Sequence, residues 1–150
     1  MNILLIGNGG REHALAWSIA DSPLTSRLVI TPGNPGMEAH GEMRFIAAAD
    51  LDGLCALAID ISADLVVIGP EAPLVEGLAD RLLKLDIATF GPRATAAMLE
   101  GSKEFARAFC ARHNIPQPVF FPVSDYESAC QHIDQLDGYC VIKADGLAAG

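Results

Sequence analysis

The chain has 150 residues, 51% of them hydrophobic, with a formal net charge of −9 and an isoelectric point near 4.7. That length suits one domain and the start of another, with ample material for a buried core. The acidic balance argues against broad contact with nucleic acid or an anionic membrane, both of which require a basic face.

The first predicted element is a strand over 2–6, Asn2-Ile3-Leu4-Leu5-Ile6, running into Gly7-Asn8-Gly9-Gly10-Arg11-Glu12-His13. An apolar run followed by glycines and a helical pattern is the first βα turn of a nucleotide-type α/β domain. Such a turn aims free backbone N–H groups and the positive end of a helix dipole at an anion. Arg11 stands in the first turn, where a cation opposes the macrodipole, so it is expected to grip a negatively charged ligand. A dinucleotide is disfavoured. The G-x-G-x-x-G fingerprint needs a third glycine where Glu12 stands, and an acid at the end of the second strand, which instead runs Arg27-Leu28-Val29-Ile30 into Thr31-Pro32-Gly33.

A helix is predicted over 11–21, a strand over 27–31, a loop over 32–44 and a helix over 50–62 with Asp50 as N-cap. The run Asp64-Leu65-Val66-Val67-Ile68-Gly69 predicts the most buried strand. A helix over 75–85, a strand over 86–90 and helices over 92–100 and 102–113 complete the pattern. Continuous apolar strands alternating with amphipathic helices predict an α/β fold: an open parallel sheet with helices on both faces. Pro116, Pro118 and Pro122 then forbid helix and predict an extended linker. Beyond it are expected a helix over 124–136, a strand Tyr139–Ala144 and a glycine turn over 145–150. The domain boundaries implied are 1–113, a linker 114–122, and 123–150 as the beginning of a second domain. A strand with nothing to pair with suggests the front part of a longer protein, in which 1–113 folds alone and 123–150 is mobile or packed against a neighbour.

No apolar run approaches the ~18 residues of a membrane span. A strand and a glycine turn occupy the place of a signal peptide, so a cytoplasmic protein is expected. Cysteines at 55, 110, 130 and 140 form no C-x-x-C, and Cys55 and Cys110 are read as reduced, core-packed thiols. Histidines at 13, 40, 113 and 132 have no metal-ligand spacing, so no metal site is encoded by pattern. His13, one turn into the first helix, is open to a ligand-facing role, with a packing or solvent role as the alternative.

Ligands of open parallel sheets sit outside the carboxyl ends of the strands, where four loops emerge. Gly7–Arg11 is the first. Pro32-Gly33-Asn34-Pro35-Gly36 is either a close-approach loop or an ordinary turn. In Gly69-Pro70-Glu71-Ala72-Pro73, Glu71 is pinned between prolines and suits an amine or sugar hydroxyls; complementing a helix dipole fits Glu76 better than Glu71. Gly91-Pro92-Arg93 adds a cation at a helix start, and Ser102-Lys103 repeats the pattern with Ser102 as N-cap. Lys143 closes an apolar strand, where a lysine is costly to bury unless paired, and a nucleotide phosphate is the expected partner.

These residues resemble one family: the phosphoribosylamine–glycine ligases, also called glycinamide ribonucleotide synthetases. The matching stretches are Gly7-Asn8-Gly9-Gly10-Arg11-Glu12-His13-Ala14-Leu15-Ala16-Trp17, Pro32 to Gly36, Gly69 to Gly77, Leu99-Glu100-Gly101-Ser102-Lys103, and Val141 to Gly150. They occur in order along the whole chain. The resemblance implies a pre-ATP-grasp, Rossmann-like N-terminal domain followed by the start of an ATP-grasp lid. It implies a ligase of purine biosynthesis in which ATP phosphorylates glycine and 5-phosphoribosylamine attacks the glycyl phosphate. Gly9, Gly10, Arg11 and Glu71 would then bind phosphoribosylamine, and Lys103 and Lys143 would act on ATP. ATP with magnesium or manganese is implied, the metal ligands and most of the ATP and glycine site lying in a part the chain lacks. The fragment alone is expected to be inactive. The full-length enzyme is expected to be a monomer acting on small molecules, without nucleic acid or membrane. Other ATP-grasp carboxylases share the fold but not the combination of Gly-Gly-Arg-Glu-His with Pro-Glu-Ala-Pro-Leu-Val. A stand-alone phosphosugar-binding or regulatory module without catalysis is the alternative of a different class.

Overall fold

The computed structural model describes residues 1–147; the Ala148-Ala149-Gly150 end of the predicted glycine turn lies outside them. The chain divides into two compact units, Met1–Ala97 and Met98–Gly150.

The first unit is a five-stranded sheet, all of it parallel. Its strands are β1 (Asn2–Gly7), β2 (Arg27–Pro32), β3 (Glu42–Met43), β4 (Leu65–Ile68) and β5 (Ala88–Phe90). Their order across the sheet is β3-β2-β1-β4-β5. The helices of this unit are α1 (Gly10–Ala20), α2 (Leu51–Asp60), α3 (Glu71–Val75) and α4 (Leu78–Lys84); α5 (Ala94–Gly101) begins in it.

The central strands are apolar throughout because helices cover both faces. Leu4 and Ile6 of β1 join Val29, Val66 and Ile68 under Leu51, Leu54 and Leu57 of α2 and Leu78 and Leu82 of α4. The alternate residues Ile3 and Leu5 join Leu28, Ile30 and Val67 under Ala16 of α1 and Met37. Strand side chains alternate faces with a period of two. Each large aliphatic side chain buried this way stabilises the fold by about 1.5–3 kcal/mol.

Three local features depart from the sequence pattern. The predicted loop 32–44 contains β3, whose Glu42 and Met43 pair with Val29 and Ile30; two residues are too few to leave a periodic signal. The single helix expected over 75–85 is two helices, α3 and α4, broken at Gly77 with φ 90°. A residue without a Cβ adopts that left-handed conformation at little cost. The strand expected over Tyr139–Ala144 is absent: that segment takes no helical or strand conformation, since no strand beside it offers a ladder. Val141 and Ile142 are 79% and 74% exposed.

The second unit contains α6 (Lys103–Arg112) and α7 (Tyr126–Gln135), neither of which fully buries a side chain. Ser102 caps α6 as expected, its hydroxyl accepting from the Phe105 amide at 3.1 Å. Asp125 caps α7, accepting from the Ser128 amide at 2.8 Å. The proline-rich stretch lies inside this unit. Gln117 Nε2 donates to the Arg107 carbonyl at 3.0 Å, holding the stretch to α6, and the Phe121 ring stacks on His132 with centroids 4.1 Å apart. No described helix is long and apolar enough to cross a membrane.

Candidate functional site

The strand order places the topological switch between β1 and β4. From β1 the chain moves to β2 and β3 on one side; β4 then pairs with the other edge of β1, and β5 follows. At such a point adjacent loops leave in opposite directions, and a crevice opens outside the carboxyl ends of the two strands. Here the crevice is walled by Gly7–Arg11 after β1 and Gly69–Glu71 after β4. The two walls are in register, the Gly69 amide donating to the Ile6 carbonyl at 2.9 Å.

Glu12 occupies the floor of this crevice. It stands at the third position of α1, and its carboxylate turns back between the strand ends, leaving the residue only 5% exposed. Oε2 accepts from the Gly9 amide at 2.9 Å and Oε1 accepts from Arg11 Nε at 2.8 Å. Three glycines make the room. A Cβ on Gly69 would lie 2.5 Å from Oε1 and one on Gly9 2.8 Å from Oε2, while one on Gly7 would fall against the Glu12 Cγ. A buried carboxylate is tolerated only when paired and hydrogen-bonded, and Arg11 with the Gly9 amide meets that condition. Sequence reasoning used Glu12 only to reject a dinucleotide. The available signal was a glutamate three residues after the helix N-cap, the spacing at which a side chain reaches back to the cap amide.

Arg11 does not stand free at the helix start. Besides Glu12, its Nη2 donates to the Gly69 carbonyl at 2.6 Å and lies 3.7 Å from Glu71 Oε2. The Glu12 hydrogen bond raises the Arg11 pKa above its ordinary value, so the guanidinium keeps its charge. The Arg11 side chain remains 65% exposed, leaving its Nη1 edge toward solvent. The amides of Gly10, Arg11 and Glu12 have no carbonyl to bond within the helix, as at every helix start, and nothing lies within 4 Å of a Cβ position on Gly10.

Glu71 opens α3, with Pro70 as its N-cap, and Glu76 closes the same helix. The dipole argument therefore belongs to Glu71, contrary to the expectation from sequence: the proline-bounded turn starts the helix at residue 71 instead of 75. A carboxylate at the crevice mouth still faces Arg11. The loop after β2 joins the same edge, where Asn34 Nδ2 donates to the Asn8 carbonyl at 2.9 Å and the Gly33 amide to the Gly7 carbonyl at 3.1 Å. His13 packs on that loop: a Cβ on Gly36 would come 2.6 Å from its Cε1, and its ring lies 5.4 Å from His40.

The two other helix starts that carry cations also receive carboxylates, on their backbone amides. Arg93 is exposed and precedes α5, whose first amide, Ala94, donates to Asp80 Oδ2 at 2.8 Å. In the second unit Asp145 sits on the start of α6. Its Oδ1 accepts from the amides of Lys103 at 2.7 Å and Glu104 at 3.2 Å, and its Oδ2 accepts from the Ser102 hydroxyl at 2.9 Å. The Ser102 hydrogen bond, followed by those amides, holds the Asp145 carboxyl below the usual aspartate range. Lys103 Nζ donates to the Gly146 carbonyl at 2.7 Å. Lys143 is exposed in an irregular segment, contrary to the expectation of a lysine at the end of a buried strand. The strand that would have enclosed it does not form.

Cys55 packs against the core, and burial pushes its thiol pKa up, away from thiolate reactivity; Cys110 is half-buried. Among the described residues no three His, Cys, Asp or Glu side chains gather in a way that could hold a metal ion.

Residues 1–100 match the family model of the phosphoribosylglycinamide synthetase N domain, and residues 101–150 match that of its ATP-grasp (A) domain. The chain is 55% identical over 150 residues to a phosphoribosylamine–glycine ligase of Caulobacter vibrioides, all of the chain aligning with 35% of that protein. It is 50% identical over 152 residues to the ligase of that name from Yersinia pestis, covering 36% of it. Among solved structures, phosphoribosylamine–glycine ligase from Thermotoga maritima superimposes with a TM-score of 0.67 at 25% identity, covering all of this chain and 34% of that one. An N5-carboxyaminoimidazole ribonucleotide synthetase from Thermus thermophilus shares the fold, with a TM-score of 0.64 at 23% identity over 89% of this chain and 36% of that one. The chain thus spans about a third of the length of the curated relatives it matches.

Proposed function

This chain belongs to the phosphoribosylglycinamide synthetase family, and from that membership we propose that it is the N-terminal portion of an ATP-dependent ligase joining glycine to 5-phosphoribosylamine. The products are glycinamide ribonucleotide, ADP and phosphate. The observation that carries the reading is the uninterrupted succession of the family's N and ATP-grasp domains along residues 1–150.

A carboxylate is a poor acyl donor until it is phosphorylated. Transfer of the ATP γ-phosphoryl group to glycine gives glycyl phosphate, and the amine of phosphoribosylamine then displaces phosphate to form the amide. Such a reaction asks the protein for positioning and charge neutralisation more than for a nucleophile. The crevice of the first unit offers both signs of charge: outward amides and the Nη1 edge of Arg11 for the phosphoribosyl part, and Glu71 for the amine or ribose hydroxyls. Lys103 and Lys143 act on the phosphates of ATP. Magnesium or manganese accompanies ATP in the family resemblance, but no described cluster of this chain fits a metal, and no step is assigned to one. The same resemblance implies a cytoplasmic monomer that works on small molecules.

The complete gene product, supplied with ATP, glycine and phosphoribosylamine, should release phosphate only when all three are present. Phosphate release independent of glycine would overturn the reading. Residues 1–150 alone should release none, because they span only about a third of the relatives' length.

A further inference from the structure

Within the reading of the β1–β4 crevice as the phosphoribosylamine site, on which this inference rests, we propose that Glu12 is a positioning residue. Its buried carboxylate sets the orientation of Arg11 and of the Gly9 turn that meet the substrate.

A helix-capping role alone would need one hydrogen bond, from the Gly9 amide to Oε2. The carboxylate does more. Its second oxygen holds Arg11 Nε at 2.8 Å, which fixes one edge of a planar fork. The Gly69 carbonyl fixes another corner through Nη2 at 2.6 Å. A guanidinium held at two points by acceptors on other residues is less free to swing than one that reaches into solvent unsupported, so less of its freedom is left to lose when it meets a ligand. Rigid support of this kind lowers the ordering cost of binding and keeps contacts within the tolerance chemistry requires.

The surroundings are shaped to hold the Glu12 side chain, and the Gly9 amide and Arg11 Nε meet its two oxygens. Gly7, Gly9 and Gly69, from the ends of two different strands, each leave out the Cβ that would collide with it. Cap formation explains Gly9 alone. Gly69 lies 57 positions from Glu12 in sequence and takes no part in α1, yet its missing side chain is what admits Oε1. With Glu12 neutralised, Arg11 keeps only the Gly69 carbonyl and the more distant Glu71, and the fork is free to swing toward Glu71.

The test uses the complete ligase. Glu12→Gln keeps the volume and an acceptor for the Gly9 amide while removing the charge opposite Arg11. We expect the KM for phosphoribosylamine to rise about tenfold, with the KM values for ATP and glycine within about twofold of the parent. In an Arg11→Ala background the same substitution should add little, since a positioning residue acts through the group it positions. A capping or packing role would instead change all three substrates alike, or act equally with and without Arg11, and either result would overturn the proposal. If Arg11→Ala itself leaves the phosphoribosylamine KM unchanged, the substrate reading of the crevice fails. If Arg11→Ala raises it and Glu12→Gln does not, the positioning role alone fails. Should Glu12→Gln not fold, Gly69→Ala displaces the carboxylate without removing its charge. It should give the same selective rise in the phosphoribosylamine KM, and an unchanged KM would refute the role.

Discussion

Arg11 and Glu71, one at the start of α1 and the other at the start of α3, face each other 3.7 Å apart across the crevice between β1 and β4. Both side chains are exposed, so their mutual attraction is weak, and a ligand bearing both charges can part them at small cost. A phosphoribosylamine does carry an anionic phosphate and an amine.

Glu71→Gln in the complete enzyme should therefore raise the KM for phosphoribosylamine by about tenfold or more and leave that for ATP nearly unchanged. Steady-state kinetics with each substrate varied in turn decide it. Equal effects on ATP and glycine would make Glu71 structural.

Lys143→Met should raise the KM for ATP about tenfold or abolish turnover. Because Lys143 is exposed, stability should change by less than about 0.5 kcal/mol. Calorimetry beside ATP titration separates the two effects. Unchanged kinetics would remove Lys143 from the ATP site.

Amide hydrogen exchange on residues 1–150 should find Val66–Ile68 strongly protected and Val141–Lys143 exchanging close to the free-chain rate. The former all pair with β1, and Val66 and Val67 also with β5, while the latter lie in a segment without helix or strand. Exchange protection tracks local opening. Equal protection in a monomer would show that 139–144 has found a strand partner.

The Asp145 contact should be acid-sensitive. Its folded-state pKa is lowered from the ordinary 3.8, so its stabilising effect is complete above that value and is lost as pH falls through the lower folded pKa. The amide chemical shifts of Lys103 and Glu104 should stay flat above about pH 5 and move below the ordinary aspartate range. Asp145→Asn should remove the step. A step retained in that variant would assign it to another group.

The alternation of apolar runs and helical patterns was enough to derive the α/β class, the parallel sheet and the crevice at its carboxyl edge, because a central strand buried on both faces leaves an unmistakable run such as Leu65–Ile68. What escaped is short or distant. β3 has two residues, and the α3–α4 break rests on one backbone angle at Gly77. Tyr139–Ala144 has the composition of a strand, but composition cannot supply the neighbour a ladder requires. Arg11, Arg93 and Lys103 at helix starts suggested three receptors for outside anions. The structure puts a carboxylate of the chain itself at each: Glu12, Asp80 and Asp145. Two of the three come from elsewhere in sequence, and contacts made across 14 or 42 residues leave no local pattern.

The cradle of Gly7, Gly9 and Gly69 around Glu12 has a consequence for inheritance. At Gly7, Gly9 and Gly69 an added Cβ presses on the Glu12 side chain unless that side chain shifts, so a change at one of these glycines favours a compensating change at Glu12. Among relatives the quartet should be kept whole or replaced whole. An aligned set in which Gly69 carries larger residues beside an unchanged Glu12 would show that the crevice floor yields more readily than its packing implies.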